Sequence, residues 1–203
     1  MNNITKESDV LRIVKEDILR FLGERNREVS IDIIKDEIKV IFSLIFEAIG
    51  ELEKEELIDS HKDFYQLNEK GKTKARDILR KHQVFEDYFK KTRSEREAHE
   101  IAHILEHYVS REVTNNIIKL STFQKDGVPL TDIEGGDKRL ITDIMISADT
   151  MFERLVSMGI LPGEDIILIS RLPNVVIVNV GNKKYALDKD IANKIKVLKD
   201  EES

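Results

Sequence analysis

The chain has 203 residues, of which 40% are hydrophobic, 35% are charged and none is cysteine, and its formal net charge at pH 7 is −6. The length allows one to three domains with folded cores, and no segment is apolar enough for a membrane span or a secretion signal. The lack of cysteine excludes disulfides, iron–sulfur clusters and thiolate zinc sites, so any metal is left to histidine and carboxylate ligands. We therefore expect a cytoplasmic protein with no membrane partner.

The first 70 residues have a pattern that predicts three helices followed by a β-hairpin. Apolar residues recur at helical spacing from Asp9 to Leu22, Ser30 opens a short second helix, and a third helix is predicted from Ser43 to Glu56. Two short strands flank a polar turn at Ser60 to Asp63. This order is typical of a winged helix-turn-helix domain, in which the third helix enters the DNA major groove. We assign residues 1–71 to such a domain.

Helical periodicity returns from Lys72 to Lys91 and again from Ser94 to Phe123. These helices enclose little core by themselves, so we expect them to pack against the first domain and against a second copy of the chain, as a dimerisation domain over residues 72–124. The polar stretch from Gln124 to Arg139 contains glycines and predicts a linker.

Beyond the linker the apolar pattern becomes that of short strands separated by turn signals, with one helical piece from Met151 to Met158. A closed or nearly closed five-stranded barrel of about 70 residues fits this pattern. We assign residues 125–203 to the linker and this barrel.

The stretch from Glu97 to Ser110 carries the clearest chemical signal in the chain. On one continuous helix, its residues His99, His103, Glu106 and His107 point to roughly one side, because they are spaced i, i+4, i+7 and i+8. Imidazole and carboxylate groups on one stripe are suitable ligands for a divalent first-row metal. The residues from His99 to His103 also spell HExxH, the zinc-peptidase signature.

A peptidase would use His99 and His103 as zinc ligands and Glu100 as general base. Glu106 or His107 follows too closely to leave the open coordination position that catalysis needs, and the longer form of the motif is absent. The alternative of a plain solvated helix face is weakened because three of the chain's five histidines lie within these nine positions. We therefore expect a non-catalytic metal site and no enzyme activity.

Two segments have a more specific resemblance. RKHQVFE, from Arg80 to Glu86, followed by AHEIAHILEHYVS, from Ala98 to Ser110, is similar to the two metal-bearing helices of the metal-dependent transcriptional repressors typified by the diphtheria toxin repressor and the manganese transport regulators. The C-terminal region, with RLVSMGILPG, resembles the FeoA-type iron-transport domain. The resemblance implies a mainly α fold with an SH3-like β barrel at its C-terminal end. It also implies Fe²⁺ or Mn²⁺ as cofactor, with other divalent first-row metals as alternatives, and a homodimer that binds operator DNA when the metal is bound.

Two metal sites are implied by the same resemblance. The residues matching the primary site are Asp9, His103, Glu106 and His107. The residues matching an ancillary site are His82, Glu86, His99 and, from the start of the barrel, Asp143. His103 stands where iron-type members carry Cys and manganese-type members carry Glu, and Arg12 stands where the manganese regulators have a further acid. The resemblance therefore does not choose between the metals.

The predicted DNA-binding domain is acidic, since residues 1–70 contain 11 basic and 17 acidic side chains. Its predicted recognition stretch, Ile41 to Gly50, has no Arg, Lys, Asn or Gln, which are the side chains that usually read base edges. One alternative is DNA reading through Ser43, Glu47 and apolar contacts, with a basic rim supplied by Lys35, Lys39 and Lys62. The other is a metal-binding iron or manganese homeostasis protein of the same fold that has lost DNA readout and acts through protein interaction.

Overall fold

The structure is a computed structural model that describes residues 2–123 and 127–199. It consists of two compact units, Met1–Arg80 and Lys81–Ser203. Residues 69–80 of the fourth helix belong to the first unit and its remainder to the second. Within the described ranges, no helix is both long and apolar enough to cross a membrane.

The first unit combines helices with a three-stranded antiparallel sheet of order β1-β3-β2. Its elements are α1 (Asn2–Arg25), β1 (Val29–Ser30), α2 (Ile31–Glu37), α3 (Phe42–Lys54), β2 (Ile58–His61) and β3 (Phe64–Leu67). The hairpin pairs Ile58 with Leu67 and His61 with Phe64, and Lys62 in its turn has a φ of 56°. The predicted winged helix-turn-helix fold is confirmed.

Helical spacing of apolar residues explains the core of this unit. Ile18 and Phe21 of α1 and Ile45 and Leu52 of α3 are at most 1% exposed. Burial of each such side chain stabilises the fold by roughly 1.5–3 kcal/mol. Because this face of α3 packs in the core, the opposite face, which includes Phe42, points outward.

The second unit joins helices to an antiparallel six-stranded sheet of order β4-β9-β5-β6-β7-β8. Its helices are the second half of α4 (Glu69–Phe89), from Lys81 onward, and α5 (Glu95–Leu105), α6 (Arg111–Phe123), α7 (Thr150–Ser157) and α8 (Lys189–Lys194). Its strands are β4 (Gly127–Pro129), β5 (Lys138–Ile144), β6 (Asp165–Arg171), β7 (Val175–Val180), β8 (Lys183–Asp188) and β9 (Ile195–Leu198). The predicted SH3-like β domain is confirmed, with six strands in place of five.

The additional strand material lies partly in the predicted linker. Gly127 to Pro129 forms β4, which pairs with Lys196 to Leu198 of β9, and a 3₁₀ turn follows at Leu130–Asp132. This pairing joins residues about seventy positions apart, so the residues around Gly127 do not by themselves predict it. Residues 124–126 of the predicted linker lie outside the described residues.

Helices and sheet of the second unit share one hydrophobic core. Phe85 and Leu105 of the helices belong to the same buried cluster as Ile141, Phe152 and Ile195 of the β region. The three-domain division at residues 71/72 and 124/125 is not decided by this arrangement and stays a prediction.

Gly163, in the turn that ends the RLVSMGILPG segment, packs directly on α6. Its φ is 88°, and a Cβ atom there would lie 2.9 Å from the Val113 carbonyl oxygen and 3.0 Å from Ile117 Cγ1. The Gly163 carbonyl accepts a hydrogen bond from Asn116 Nδ2 at 2.9 Å. Both the left-handed conformation and the close approach require glycine.

The stretch from Ser94 to Phe123 forms two helices, where its periodicity predicted one. Ser94 starts α5 with a capping box, since its side chain accepts from the Glu97 amide while the Glu97 side chain accepts from the Ser94 amide. Helix α5 ends at Leu105, and Ser110 Oγ accepts from the Val113 amide at 3.2 Å at the start of α6. Glu106 and His107 consequently lie in the turn between the helices, not on one continuous helix face.

Candidate metal centre

The first cluster of metal-ligand side chains lies between α4 and α5. His82 and Glu86 are one turn apart on α4, with His82 Nε2 3.1 Å from Glu86 Oε2. His82 Nε2 also lies 3.2 Å from Nδ1 of His99 on α5. One potential ligand atom from each residue lies within 4.8 Å of the other two. The structure thus brings together His82, Glu86 and His99 of the predicted ancillary site, and we call them the ancillary group.

A second cluster forms where α5 ends. His103 Nδ1 lies 3.1 Å from Glu106 Oε1, and His107 Nε2 lies 3.5 Å from the same oxygen. Ligand atoms of these three residues also lie within 4.8 Å of one another. The Glu106 side chain is 0% exposed, while His103 is 40% exposed at its side chain, so the cluster reaches the surface at His103. We call these residues of the predicted primary site the primary group.

One histidine connects the two groups. His82 Nδ1 lies 2.7 Å from Glu106 Oε2, while its Nε2 faces Glu86 and His99. An ionised carboxylate only accepts hydrogen bonds, so Nδ1 of His82 donates to Glu106 and Nε2 is the ring nitrogen that faces Glu86 and His99. The sequence predicted two overlapping sites that share one helix, and the His82–Glu106 contact links the side chains of both.

The electrostatics of the cluster keep its carboxylates ionised. Burial raises the pKa of Glu106, but hydrogen bonds from His103 and His82 outweigh it, and the pKa is lowered to about 2. Burial likewise raises the pKa of Glu86, and this effect is outweighed by the hydrogen bond from Lys90 and the proximity of His82, so the pKa is lowered. Lys90 Nζ lies 2.8 Å from Glu86 Oε1, which leaves Oε2 directed toward His82.

These donors fit a divalent first-row cation. His82 Nε2 lies 3.1 Å from Glu86 Oε2 and 3.2 Å from His99 Nδ1, so the three residues offer ligand atoms to one cation. Imidazole nitrogen and carboxylate oxygen are ligands suited to manganese, iron(II) and zinc. His82, Glu86 and His99 would hold one ion, and His103, Glu106 and His107 would contribute to a second.

Asp143 has a different partner in this structure. Its Oδ1 accepts hydrogen bonds from Arg93 Nη2 at 2.7 Å and from the Ile144 amide at 2.7 Å. Burial raises the pKa of Asp143 even though Arg93 opposes the shift. It is not part of the ancillary group described above, and its predicted role as a fourth ligand stays a prediction.

Two further contacts, which no sequence motif indicates, join β5 to α4 and to the turn after it. Arg93 Nη2 also donates to the Ile144 carbonyl at 2.9 Å, and Tyr88 Oη donates to the Thr142 carbonyl at 2.9 Å. The β5–β9 pairing has a register shift between Ile141 and Asp143, which places Thr142 in a bulge. These contacts span about fifty residues, so no local pattern identifies them.

The remaining predicted site residues lie in the first unit. Asp9, on α1, is exposed, and its Oδ1 lies 3.9 Å from Arg12 Nε. The four predicted DNA-binding side chains are all exposed: Ser43 and Glu47 on α3, Lys39 before it, and Lys62 in the β2–β3 turn. Their roles as ligands and DNA contacts stay predictions.

The HExxH segment does not assemble as a peptidase motif. Its histidines divide between the two groups, with His99 beside His82 and His103 beside Glu106. Glu100, the general base of that hypothesis, is 46% exposed at its side chain and lies 3.6 Å from Arg96 Nε. The motif therefore contributes one histidine to each of the two clusters, and its glutamate lies at the surface.

A winged helix followed by a helical module rich in histidine and carboxylate, and then by a small β domain, is the architecture of a metal-responsive regulator. Two family models match the chain in tandem: "Iron dependent repressor, metal binding and dimerisation domain" over residues 68–126, and "FeoA domain" over residues 128–199. Together they match well over half of the chain. The chain belongs to the family of metal-dependent transcriptional repressors of the diphtheria toxin repressor and manganese transport regulator type, with a C-terminal FeoA domain.

Several solved structures are similar to this chain. The manganese regulator SloR is 20% identical, with a TM-score of 0.48, over 92% of this chain and 98% of that one. IdeR of T. acidophilum is 22% identical, with a TM-score of 0.43, over 98% and 100%. An iron uptake regulatory protein (FeoA) is 32% identical, with a TM-score of 0.31, over 35% of this chain and 93% of that one. No curated protein sequence matches the chain.

Proposed function

We propose that this protein is a transcriptional regulator that binds Fe²⁺ or Mn²⁺ and, as a metal-bound homodimer in the cytoplasm, binds operator DNA. The family is one of repressors, which are not enzymes, and the proposal involves coordination without turnover. The observation that carries it is the fully buried Glu106 carboxylate, which has His82, His103 and His107 around it. A buried ionised carboxylate is costly unless it is paired or binds a metal.

The positions of the ligands suggest how metal binding is transmitted. A bound ion would supply a positive charge that holds carboxylate and imidazole groups together. Glu106 and His107 form the turn that joins α5 to α6, so fixing their side chains restricts this turn. Because both helices lie in the segment that the family model describes as the metal-binding and dimerisation domain, we infer that this restriction favours the dimer.

We retain Asp9 as a primary-site ligand and Asp143 as an ancillary ligand on the strength of the resemblance. DNA contact is assigned to the exposed Ser43, Glu47, Lys39 and Lys62. Dimeric winged helices bind half-sites about one helical turn of DNA apart, which explains why a restricted dimer would bind an operator better than a loose one.

Metal binding is tested by titrating the metal-free protein with Mn²⁺ in a calorimeter. Glu106→Gln keeps the shape of the side chain but removes its charge, and we expect it to weaken Mn²⁺ binding by about 10–100-fold. The matched control is Glu100→Gln, six residues away and at the surface, which should bind Mn²⁺ as the wild type does. Equal affinities for the two variants would overturn the assignment of the primary group.

DNA binding is tested separately, by selecting operators from a random-sequence DNA library with and without Mn²⁺. We expect enrichment of a two-fold symmetric sequence only with the metal. Failure to enrich any sequence would overturn the DNA part of the proposal while leaving the metal titration valid.

A further inference from the structure

The outward side of the helix-turn-helix segment is apolar. Within the described residues, thirteen large hydrophobic side chains are exposed, and five of them fall between positions 33 and 46. These five define the apolar α3 surface: Ile33 (46% exposed), Val40 (39%), Ile41 (72%), Phe42 (46%) and Phe46 (45%). Singly scattered apolar groups need no explanation, whereas a local concentration marks an interaction site.

The two aromatic rings of this surface are held in place before any partner arrives. Phe42 and Phe46 are one turn apart on α3, and their ring centroids lie 4.3 Å apart at an interplanar angle of 88°. Lys35 Nζ lies 3.9 Å from the Phe42 ring centroid and also 3.1 Å from Asp32 Oδ1. An edge-to-face pair fixed by a neighbouring cation loses little freedom on binding, which favours specific association.

The side chains around the apolar α3 surface are mostly acidic, and this charge favours a basic partner. Asp36 and Glu37 of α2 and Glu47 of α3 are exposed beside it. Two of the three lysines between residues 31 and 54 are already paired, Lys35 with Asp32 and Lys54 with Glu51. A symmetric contact between two copies would place acidic side chains opposite their own equivalents. A basic and apolar partner is complementary to both features.

We propose that the apolar α3 surface binds an amphipathic helix of a partner protein, with apolar side chains on one face and lysine or arginine along its edges. Such a helix lays its apolar face into an apolar groove or patch by anchors at i, i+3, i+4 and i+7. This inference goes beyond the proposed function, because it gives a protein ligand to the helix that the function assigns to DNA. A helix covered in this way cannot enter a major groove, so the partner controls access to the operator.

The test uses the full-length protein and a fluorescein-labelled synthetic peptide of leucine and lysine arranged as an amphipathic helix. Fluorescence anisotropy at physiological salt measures binding. We expect the peptide to bind, and we expect a scrambled peptide of the same composition and a version with glutamate in place of lysine not to bind. In the double variant Phe42→Ser/Phe46→Ser the affinity should fall at least tenfold. The matched control, Ile169→Ser/Leu172→Ser, changes two equally exposed apolar residues of the second unit and should bind as the wild type does.

Three outcomes would overturn the inference. The first is equal peptide affinity of the two double variants, which would show nonspecific binding. The second is loss of self-association in the Phe42→Ser/Phe46→Ser variant by sedimentation, which would identify a second copy as the occupant. The third is loss of operator binding in that variant without competition between peptide and operator, which would identify DNA. Mn²⁺ affinity of the variant should stay unchanged, and this separates failure of the inference from failure of the metal proposal.

Discussion

His82 and Glu106 are joined by a 2.7 Å contact between Nδ1 and Oε2, although they lie 24 residues apart in the chain. Each belongs to a different predicted metal site, so this contact links the ligands of both. A ligand histidine whose second nitrogen donates to a carboxylate is oriented by that carboxylate. Here the orienting carboxylate is itself a candidate ligand of the other ion, and we expect occupancy of one group to affect the other.

Replacing His82 by alanine should therefore weaken Mn²⁺ binding at both groups. The substitution removes a candidate ligand from the ancillary group and a hydrogen bond from Glu106 of the primary group. Loss of such a contact lowers metal affinity by roughly 10–100-fold. Calorimetric titration resolves the two binding steps. His61→Ala, an exposed histidine of β2, is the control and should change neither step. Weakening of one step only would show that the ring does not couple the groups.

Replacing Arg93 by alanine should destabilise the second unit strongly. Arg93 and Asp143 side chains are only 9% and 15% exposed, so the variant leaves an ionised group without its partner in a poorly solvated place. Loss of one member of a buried pair costs about 3–5 kcal/mol in the free energy of unfolding. Urea denaturation in the presence of a chelator measures this value. Arg96→Ala removes a side chain that is 86% exposed and should cost less than about 0.5 kcal/mol. Similar values for both variants would contradict the importance of the Arg93–Asp143 contact.

Two adjacent residues of helix α7, one buried and one exposed, allow the shared core of the second unit to be tested. Phe152 is 0% exposed and Met151 is 38% exposed. Phe152→Ala removes a large ring from a packed interior and should lower the free energy of unfolding by about 3–5 kcal/mol, whereas Met151→Ala should change it by less than about 1 kcal/mol. Urea denaturation measures both values, and amide hydrogen exchange reports the helices and the strands of the second unit separately. In the Phe152→Ala variant we expect both to lose protection together. Loss of protection confined to the helices or to the strands would contradict a single core in the second unit.

Glu164 predicts a pH dependence that is independent of the metal ligands. Burial, followed by the nearby charges of Asp165 and Glu112, raises its pKa above the ordinary value of 4.5. The folded state thus binds this proton more tightly than the unfolded state, so stability falls as pH rises from 4.5 through the folded pKa and stays reduced above it. Glu164→Gln should raise the free energy of unfolding at pH 7, by less than about 1 kcal/mol because the group is partly solvated, and should not change it at pH 4. The same gain at both pH values, or a gain in the exposed control Glu153→Gln, would refute the explanation.

Local patterns in the sequence were sufficient for the winged helix and for the histidines and carboxylates that the structure brings together. His82 and Glu86 are only four residues apart in the chain, as are His103 and His107. Residues this near in sequence remain near each other when the chain folds, so their spacing alone indicates a cluster. Patterns were insufficient where the determining contact is distant. The break after Leu105 depends on packing as well as on Ser110, and the pairing of Arg93 with Asp143 crosses fifty residues. The apolar nature of α3 was visible in the sequence, but only the structure distinguishes core residues such as Ile45 from exposed ones such as Phe42.

The common interior of the metal-bearing helices and the FeoA domain also bears on how such a chain evolves. A domain that is merely appended keeps its own closed interior and can be exchanged for another by recombination at the joint. Here Phe85 and Leu105 are buried in the same cluster as Phe152 and Ile195, and Gly163 contacts α6 so closely that no larger residue fits. A different C-terminal segment would leave these hydrocarbon side chains open to water. We therefore expect the helices and their FeoA domain to be inherited as a pair, with substitutions on one side of the interior matched by substitutions on the other.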